Sequence, residues 1–328
     1  MLLGMKGWVL ATALLIVSIG LSLVVEIKPK TNVNNLAVPT KVLLDPRVDL
    51  PCIWLFINDG DVNSRYWSDF GARSSRVLNK PYMNLCYETI VRNAGDRYRV
   101  EIIRGLSDAV QRLGDANLLP APLRNSKAFL KDEEIQFIGI AFLAKFGGLW
   151  MSPSTVCIKE IPSLPKDKII AFGTSDSETY SGKDGTRVPN TQYIWCPNAG
   201  TPMFNSWAST LYERLDSFSG GQRVRRDNQW DWLDVSNGAC GVTTQPNTTL
   251  QRKANGRRIE LEDLFASGTE GNLPFTISED VIFVPIPYFE LDRSSRYGWF
   301  LKSSESQILE SDLAITYLFR MGLNQISE

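Results

Sequence analysis

The chain has 328 residues, 43% of them hydrophobic and 22% charged, which is ordinary composition for a folded domain with a sizeable core. Against 36 Asp and Glu stand 35 Lys and Arg, a net charge of -1, so bulk electrostatics argue against a nucleic-acid partner. Histidine is absent, which excludes His-based general-base catalysis, Ser-His-Asp and Cys-His triads and every His-containing zinc site.

Residues 8–25, WVLATALLIVSIGLSLVV, carry no charge and only Thr12, Ser18 and Ser22 as polar side chains. Such a run spans ~30 Å of hydrocarbon at ~1.5 Å per residue, and no small-x-small cleavage site follows it. It is expected to be an uncleaved signal anchor within residues 1–25, with the lipid bilayer as its partner. Lys6 precedes the span and a large domain follows, which suits a single-pass type II membrane protein whose C-terminal domain is lumenal or exterior. Residues 26–50, with Pro29, Pro39 and Pro46 and no periodic pattern, read as a stem, leaving 51–328 as the domain. Asn247-Thr248-Thr249 is a glycosylation sequon compatible with that placement.

Within the domain, Cys52–Ile57 is an apolar run closed by Asn58-Asp59-Gly60 and reads as a buried strand and turn. A helix over 81–94, a strand over 99–103 and a short helix over 107–113 follow. This alternation predicts an α/β fold, a mostly parallel sheet flanked by helices. The clearest element runs from Asp132 to Gly148. Asp132 reads as its N-cap, Glu133 and Glu134 suit its positive end, and Gly147 supplies a left-handed C-terminal residue. Short strands at 149–151 and 155–158 are separated by Ser152-Pro153-Ser154, since Pro153 cannot donate to a ladder. Strands near 168–172, 192–196 and 281–285, a helix over 202–218 and a terminal helix over 305–321 complete the reading.

None of the five cysteines forms a CxxC pair, and Cys52 and Cys157 sit in strand-like runs as buried small hydrophobes. Asp59 and Asp61 follow the first strand, at the sheet edge where open α/β folds bind ligands, or simply make a turn. Asp108 either contacts a ligand or caps its helix. Arg223, Arg225 and Arg226 are candidate diphosphate contacts with Trp230 or Trp232 beside them, or else a solvated basic loop. Asp176, Glu178 and Asp184 lie in a loop that either approaches the cleft or is simply a solvated acidic loop.

The stretch KDEEIQFIGIAFLAKFGGLWMSPSTVCIKEI, residues 131–161, resembles the core of DXD-type glycosyltransferases. The likeness is to the capsular polysaccharide synthesis family and to related yeast mannosyltransferases and clostridial glucosylating toxins. Those enzymes carry an Asp and an Arg on an apolar helix, then Gly-Gly, an aromatic residue and Asp-x-Asp at a strand end. The segment Trp195-Cys196-Pro197-Asn198-Ala199-Gly200-Thr201-Pro202 also resembles a region downstream of that motif, so the likeness covers about residues 50–215. It implies a GT-A-like twisted sheet and transfer of a sugar from a nucleotide sugar to a glycan or glycoprotein acceptor. Counting from Gly147, the relatives' nucleotide-contacting Asp falls at Gln136 and their Arg at Gly139; their two metal-binding Asp fall at Ser152 and Ser154. With Trp150, these mark the substrate-binding region the resemblance implies. Neutral hydroxyls cannot replace carboxylates around Mg²⁺ or Mn²⁺, so a metal is expected only if another acid supplies the charge. The alternative expectation is a non-catalytic binding or structural membrane protein derived from that family.

Overall fold

The computed structural model describes residues 49–58, 80–114, 119–125, 130–173, 191–217, 232, 236, 241–268 and 272–324. In chain order these form β1 (Cys52–Ile57), α1 (Pro81–Ala94), β2 (Arg99–Arg104), α2 (Gly105–Leu113), α3 (Asp132–Phe146), β3 (Gly148–Met151) and β4 (Thr155–Cys157). There follow β5 (Ile169–Phe172), β6 (Ile194–Cys196), α4 (Pro202–Ser217), β7 (Val242–Gln245), α5 (Leu261–Leu264) and β8 (Phe283–Pro285). The chain continues with α6 (Tyr288–Arg293), α7 (Gly298–Lys302), α8 (Glu305–Glu310) and α9 (Ala314–Gly322). All fall in one compact unit, Asp49–Glu328.

The main sheet has the order β2-β1-β3-β6-β5-β7. β1 runs parallel to β2 and β3, and β5 parallel to β7, while β6 is antiparallel to both its neighbours. A second, two-stranded sheet pairs β4 with β8 antiparallel. The continuous apolar run of β1 follows from burial on both faces. Cys52, Trp54 and Phe56 pack on one side with α3 and α4, and Ile53 and Leu55 on the other with Ile90 and Ala94 of α1. Trp150 joins the first cluster; Leu149 and Met151 join the second. The predicted α/β fold, a mostly parallel sheet flanked by helices, is therefore present. A third cluster packs α1 against α5, α7, α8 and α9.

α3 is buried over Phe137–Ile140 and Phe142–Ala144, as its all-round apolar sequence requires. Its start differs from expectation. Lys131 is the N-cap, and Glu134 closes the turn by accepting the Lys131 backbone N–H at 2.9 Å. Asp132 is instead the first helical residue, so its carboxylate stays available to the surface. At the other end, Gly147 has φ +67° and ψ -161°, positive as predicted yet outside the left-handed helical basin. Gly148, at φ +96°, turns the chain at once into β3.

The expected terminal helix over 305–321 is two helices, α8 and α9. Between them the chain is drawn straight to pair with another segment. Gly268 N–H donates to the Asp312 carbonyl and Ala314 N–H to the Ala266 carbonyl, both at 2.8 Å. The Ser311 and Thr316 hydroxyls both donate to the Ile308 carbonyl, which satisfies the end of α8.

Cys52, Cys86, Cys157 and Cys196 are buried free thiols, and burial pushes the Cys52 pKa up to about 12. Residues 8–25 lie outside the described residues. Among the described residues no helix is long and apolar enough to cross a membrane.

Candidate functional site

A cleft of about 410 Å³ opens where the carboxyl ends of β1 and β3 meet the start of α3. β1 contributes Phe56 and the following Asn58, and β3 contributes Trp150, Met151 and the turn Ser152-Pro153-Ser154. α3 supplies Asp132, Ile135 and Gln136. The far side comes from Leu250–Gln251, Arg258–Ile259 and Pro285–Glu290. These remote segments are brought in by the β4–β8 pairing, which sets Thr155 opposite Pro285, and by Ile286 N–H donating to the Ser154 carbonyl at 2.9 Å.

The cleft therefore gathers Gln136, Trp150, Ser152 and Ser154, four of the five positions that the glycosyltransferase resemblance marks; Gly139 does not line it. Their side chains are not equivalent. Ser154 is only 1% exposed. Its hydroxyl donates to the Ile286 carbonyl at 3.1 Å and lies 3.4 Å from the Tyr82 hydroxyl. Ser152 is half-buried, and its Oγ accepts the Ser154 N–H at 3.3 Å while the Thr155 hydroxyl donates to the Ser152 carbonyl at 2.7 Å. Pro153 thus sits at the tip of a stiff, internally bonded turn. Gln136 is half-buried at the cleft wall. Its buried Nε2 has no hydrogen-bond partner among the described residues.

Trp150 is a wall more than a platform: it is buried, stacked near Phe56 with centroids 6.5 Å apart, and close to Phe142. A Cβ on Gly139 would lie 2.5 Å from Trp150 Cε2. The indole fills the space in which an arginine, the residue the glycosyltransferase resemblance places at this position, would begin. Behind it, Trp54 Nε1 donates to the Gly147 carbonyl at 2.8 Å and fixes the Gly-Gly turn to β1. Asn58, buried, accepts the Leu130 N–H through Oδ1 and ties the end of β1 to the approach to α3.

Two carboxylates line the described cleft. Asp132 is exposed at the mouth, yet nearby protein desolvates it enough to raise its pKa above the ordinary carboxylate value. The Arg293 charge opposes that rise and Glu133 adds to it. Glu290, on α6, lies 2.8 Å from Arg258 Nη2. α6 is itself held by Lys80, which pairs with Asp292 at 2.8 Å and lies over the Tyr288 ring.

Several predicted residues lie elsewhere. Asp108 is not at the cleft. Its carboxylate accepts the Arg104 N–H at 2.8 Å and Arg112 Nε at 2.9 Å, so it stabilises the first turn of α2. Trp232 is buried against Trp207 at 6.0 Å and presents no face to a ligand. Asn247 is exposed beside β7, while Thr249 of its sequon is buried and donates to Gln251 Oε1. Asp59, Asp61, Asp176, Glu178, Asp184, Arg223, Arg225, Arg226 and Trp230 lie outside the described residues. Arg258 and Glu290 were missed by the sequence reading. Only the RKANGRR run, residues 252–258, hinted at Arg258, as a charge cluster without a periodic pattern, and nothing pointed to Glu290.

Among the described residues no three Cys, Asp or Glu side chains converge on a metal-sized site. Of the cleft's two acids, Glu290 is engaged by Arg258, and the Ser154 hydroxyl is committed to Ile286. Among the described residues, this donor set does not fit a diphosphate-bound Mg²⁺ or Mn²⁺. In comparisons with known proteins, the chain matches no protein-family model and no curated protein sequence.

Proposed function

We propose that the chain is a membrane-anchored glycosyltransferase with a GT-A-like domain that moves a sugar from a nucleotide sugar to a glycan or glycoprotein acceptor without a protein-held metal. The observation that carries this reading is convergence. Gln136, Trp150, Ser152 and Ser154, distributed over a helix, a strand and a turn, line one cleft at the carboxyl edge of the sheet. That edge is where open α/β sheets bind nucleotides. The unpartnered buried amide nitrogen of Gln136 supports it further, because a buried donor without a partner costs about 1–3 kcal/mol and is relieved by a ligand acceptor.

In the proposed reaction the acceptor hydroxyl oxygen bonds to the anomeric carbon of the donor sugar. The bond from that carbon to the diphosphate oxygen breaks, and its electron pair leaves with the nucleoside diphosphate. The acceptor proton passes to a carboxylate. Asp132 is the cleft acid not paired with Arg258, and its raised pKa makes it a better proton acceptor than an ordinary aspartate.

A thermal-shift series with nucleotides and nucleotide sugars, with Mn²⁺ or with EDTA, tests the reading. The expected result is stabilisation by one nucleotide family that survives EDTA. Stabilisation seen only with Mn²⁺ would contradict the metal-independent reading. A shift with no nucleotide would favour a non-catalytic derivative of the family.

A further inference from the structure

The far wall of the cleft carries a charged arrangement that neither the resemblance nor the proposed reaction assigns. Residues 251–259 form a tight hairpin. Arg252 and Arg258 pair across it as an antiparallel bridge. Ile259 N–H donates to the Gln251 carbonyl, Lys253 N–H to the Arg257 carbonyl and Gly256 N–H to the Lys253 carbonyl. This short loop concentrates Arg252, Lys253, Arg257 and Arg258 in a chain whose net charge is -1. Lys253 is neutralised by Asp263 at 2.6 Å. Arg257 is exposed and points to no acid among the described residues. Arg258 alone of the four lines the cleft, and there it meets Glu290 of α6.

We propose that Arg258 is the anion-receiving group of this cleft, and that Glu290 is a built-in counter-ion which a phosphate-bearing ligand displaces. The proposal rests on the reading of the cleft as a diphosphate site. The side chains of Arg258 and Glu290 are 31% and 50% exposed. An ion pair that wet holds weakly, on the order of 1 kcal/mol or less, and opens readily. A diphosphate brings more charge than one carboxylate, and its oxygens match the planar guanidinium fork at two points. The exchange is therefore downhill when the ligand enters. In its absence Glu290 keeps Arg258 neutralised and aimed inward by way of α6, which Lys80 and Asp292 anchor. Glu290 thus sets the affinity of the cleft for anions and discriminates against weak ones such as inorganic monophosphate or chloride.

The test uses the full chain in detergent, inorganic pyrophosphate in EDTA as the probe, and isothermal titration calorimetry. Wild type binds. Glu290→Gln binds about 2- to 5-fold tighter, the factor released by removing a competing pair of ~1 kcal/mol or less. Arg258→Gln binds at least about tenfold more weakly, as loss of charge-assisted hydrogen bonds requires. In the Arg258→Gln background, Glu290→Gln changes nothing further, because Glu290 acts only through Arg258. Arg258→Lys, which keeps the charge and loses the fork, falls between wild type and Arg258→Gln. The proposal is overturned by no pyrophosphate binding, by Arg258→Gln binding like wild type, by Glu290→Gln binding no tighter, or by an undiminished Glu290→Gln effect in the double variant. The last result would mean a general field and not an exchanged partner. A nucleoside diphosphate arm separates the two readings. If pyrophosphate behaves as stated but nucleosides add no affinity, the counter-ion exchange stands and the nucleotide-sugar reading falls. If nucleotides bind with no dependence on Arg258, the exchange falls and the nucleotide-sugar reading stands.

Discussion

Ser154 points inward, its hydroxyl donated to the Ile286 carbonyl, so a carboxylate at that position would confront an acceptor at a position almost closed to solvent. Ser154→Asp is expected to destabilise the domain on the order of 3 kcal/mol, whereas half-buried Ser152→Asp is tolerated. Chemical denaturation of the two variants checks this; equal stability would mean that the turn around Pro153 swings outward at little cost. Asp132 illustrates the opposite case, a carboxyl that belongs near the surface but is partly desolvated. Its native pKa lies above the unfolded value of about 4, so its proton is held more tightly in the folded chain. The contribution to stability is therefore fully present below the unfolded pKa and lost as pH rises through the folded one. Relative to Asp132→Asn, wild type should lose stability as pH rises above the unfolded value of about 4 and through the higher folded one. The opposite slope would show that Arg293 and the positive end of α3 outweigh desolvation.

At the scale of elements, the α3–β3 connection is the most constrained junction. A Cβ on Gly148 would lie 2.3 Å from the Cys52 carbonyl oxygen, and Gly147 holds a φ/ψ pair essentially restricted to glycine. Gly148→Ala and Gly147→Val should each lower thermal stability markedly, by about 2 kcal/mol or more, measured by calorimetric melting. Wild-type melting of either would break the proposed alignment of the motif. This junction was legible in the sequence because burial on all sides forces α3 and β3 to be apolar, and the reversal between them forces glycine. The break at 311–313 was not: Ser311 and Asp312 oppose helix only weakly, and pairing with 266–268 completes the break. The hairpin over 251–259 was equally hidden. Its polar, basic composition matches a solvated loop, and only the fold brings Arg258 to the cleft. Gln136, Ser152 and Trp150 were placed through their spacing from Gly147, whereas the inward turn of Ser154 depends on the distant residue Ile286.

For the molecule as a whole, the 8–25 segment and the cleft at the carboxyl edge of the sheet make separate demands. The protein should resist extraction from membranes by alkaline carbonate, and release into the supernatant would contradict the anchor. The central claim is that the cleft at the carboxyl edge of the sheet binds a nucleotide sugar without metal. The most direct measurement is a calorimetric titration, in EDTA, of the nucleotide sugar that stabilises wild type best, run in parallel on Ser152→Phe, which fills the cleft at its half-buried turn. Saturable binding by wild type, abolished in a folded Ser152→Phe, is the predicted result. Undiminished binding by that variant, or wild-type binding that requires Mn²⁺, would contradict the account.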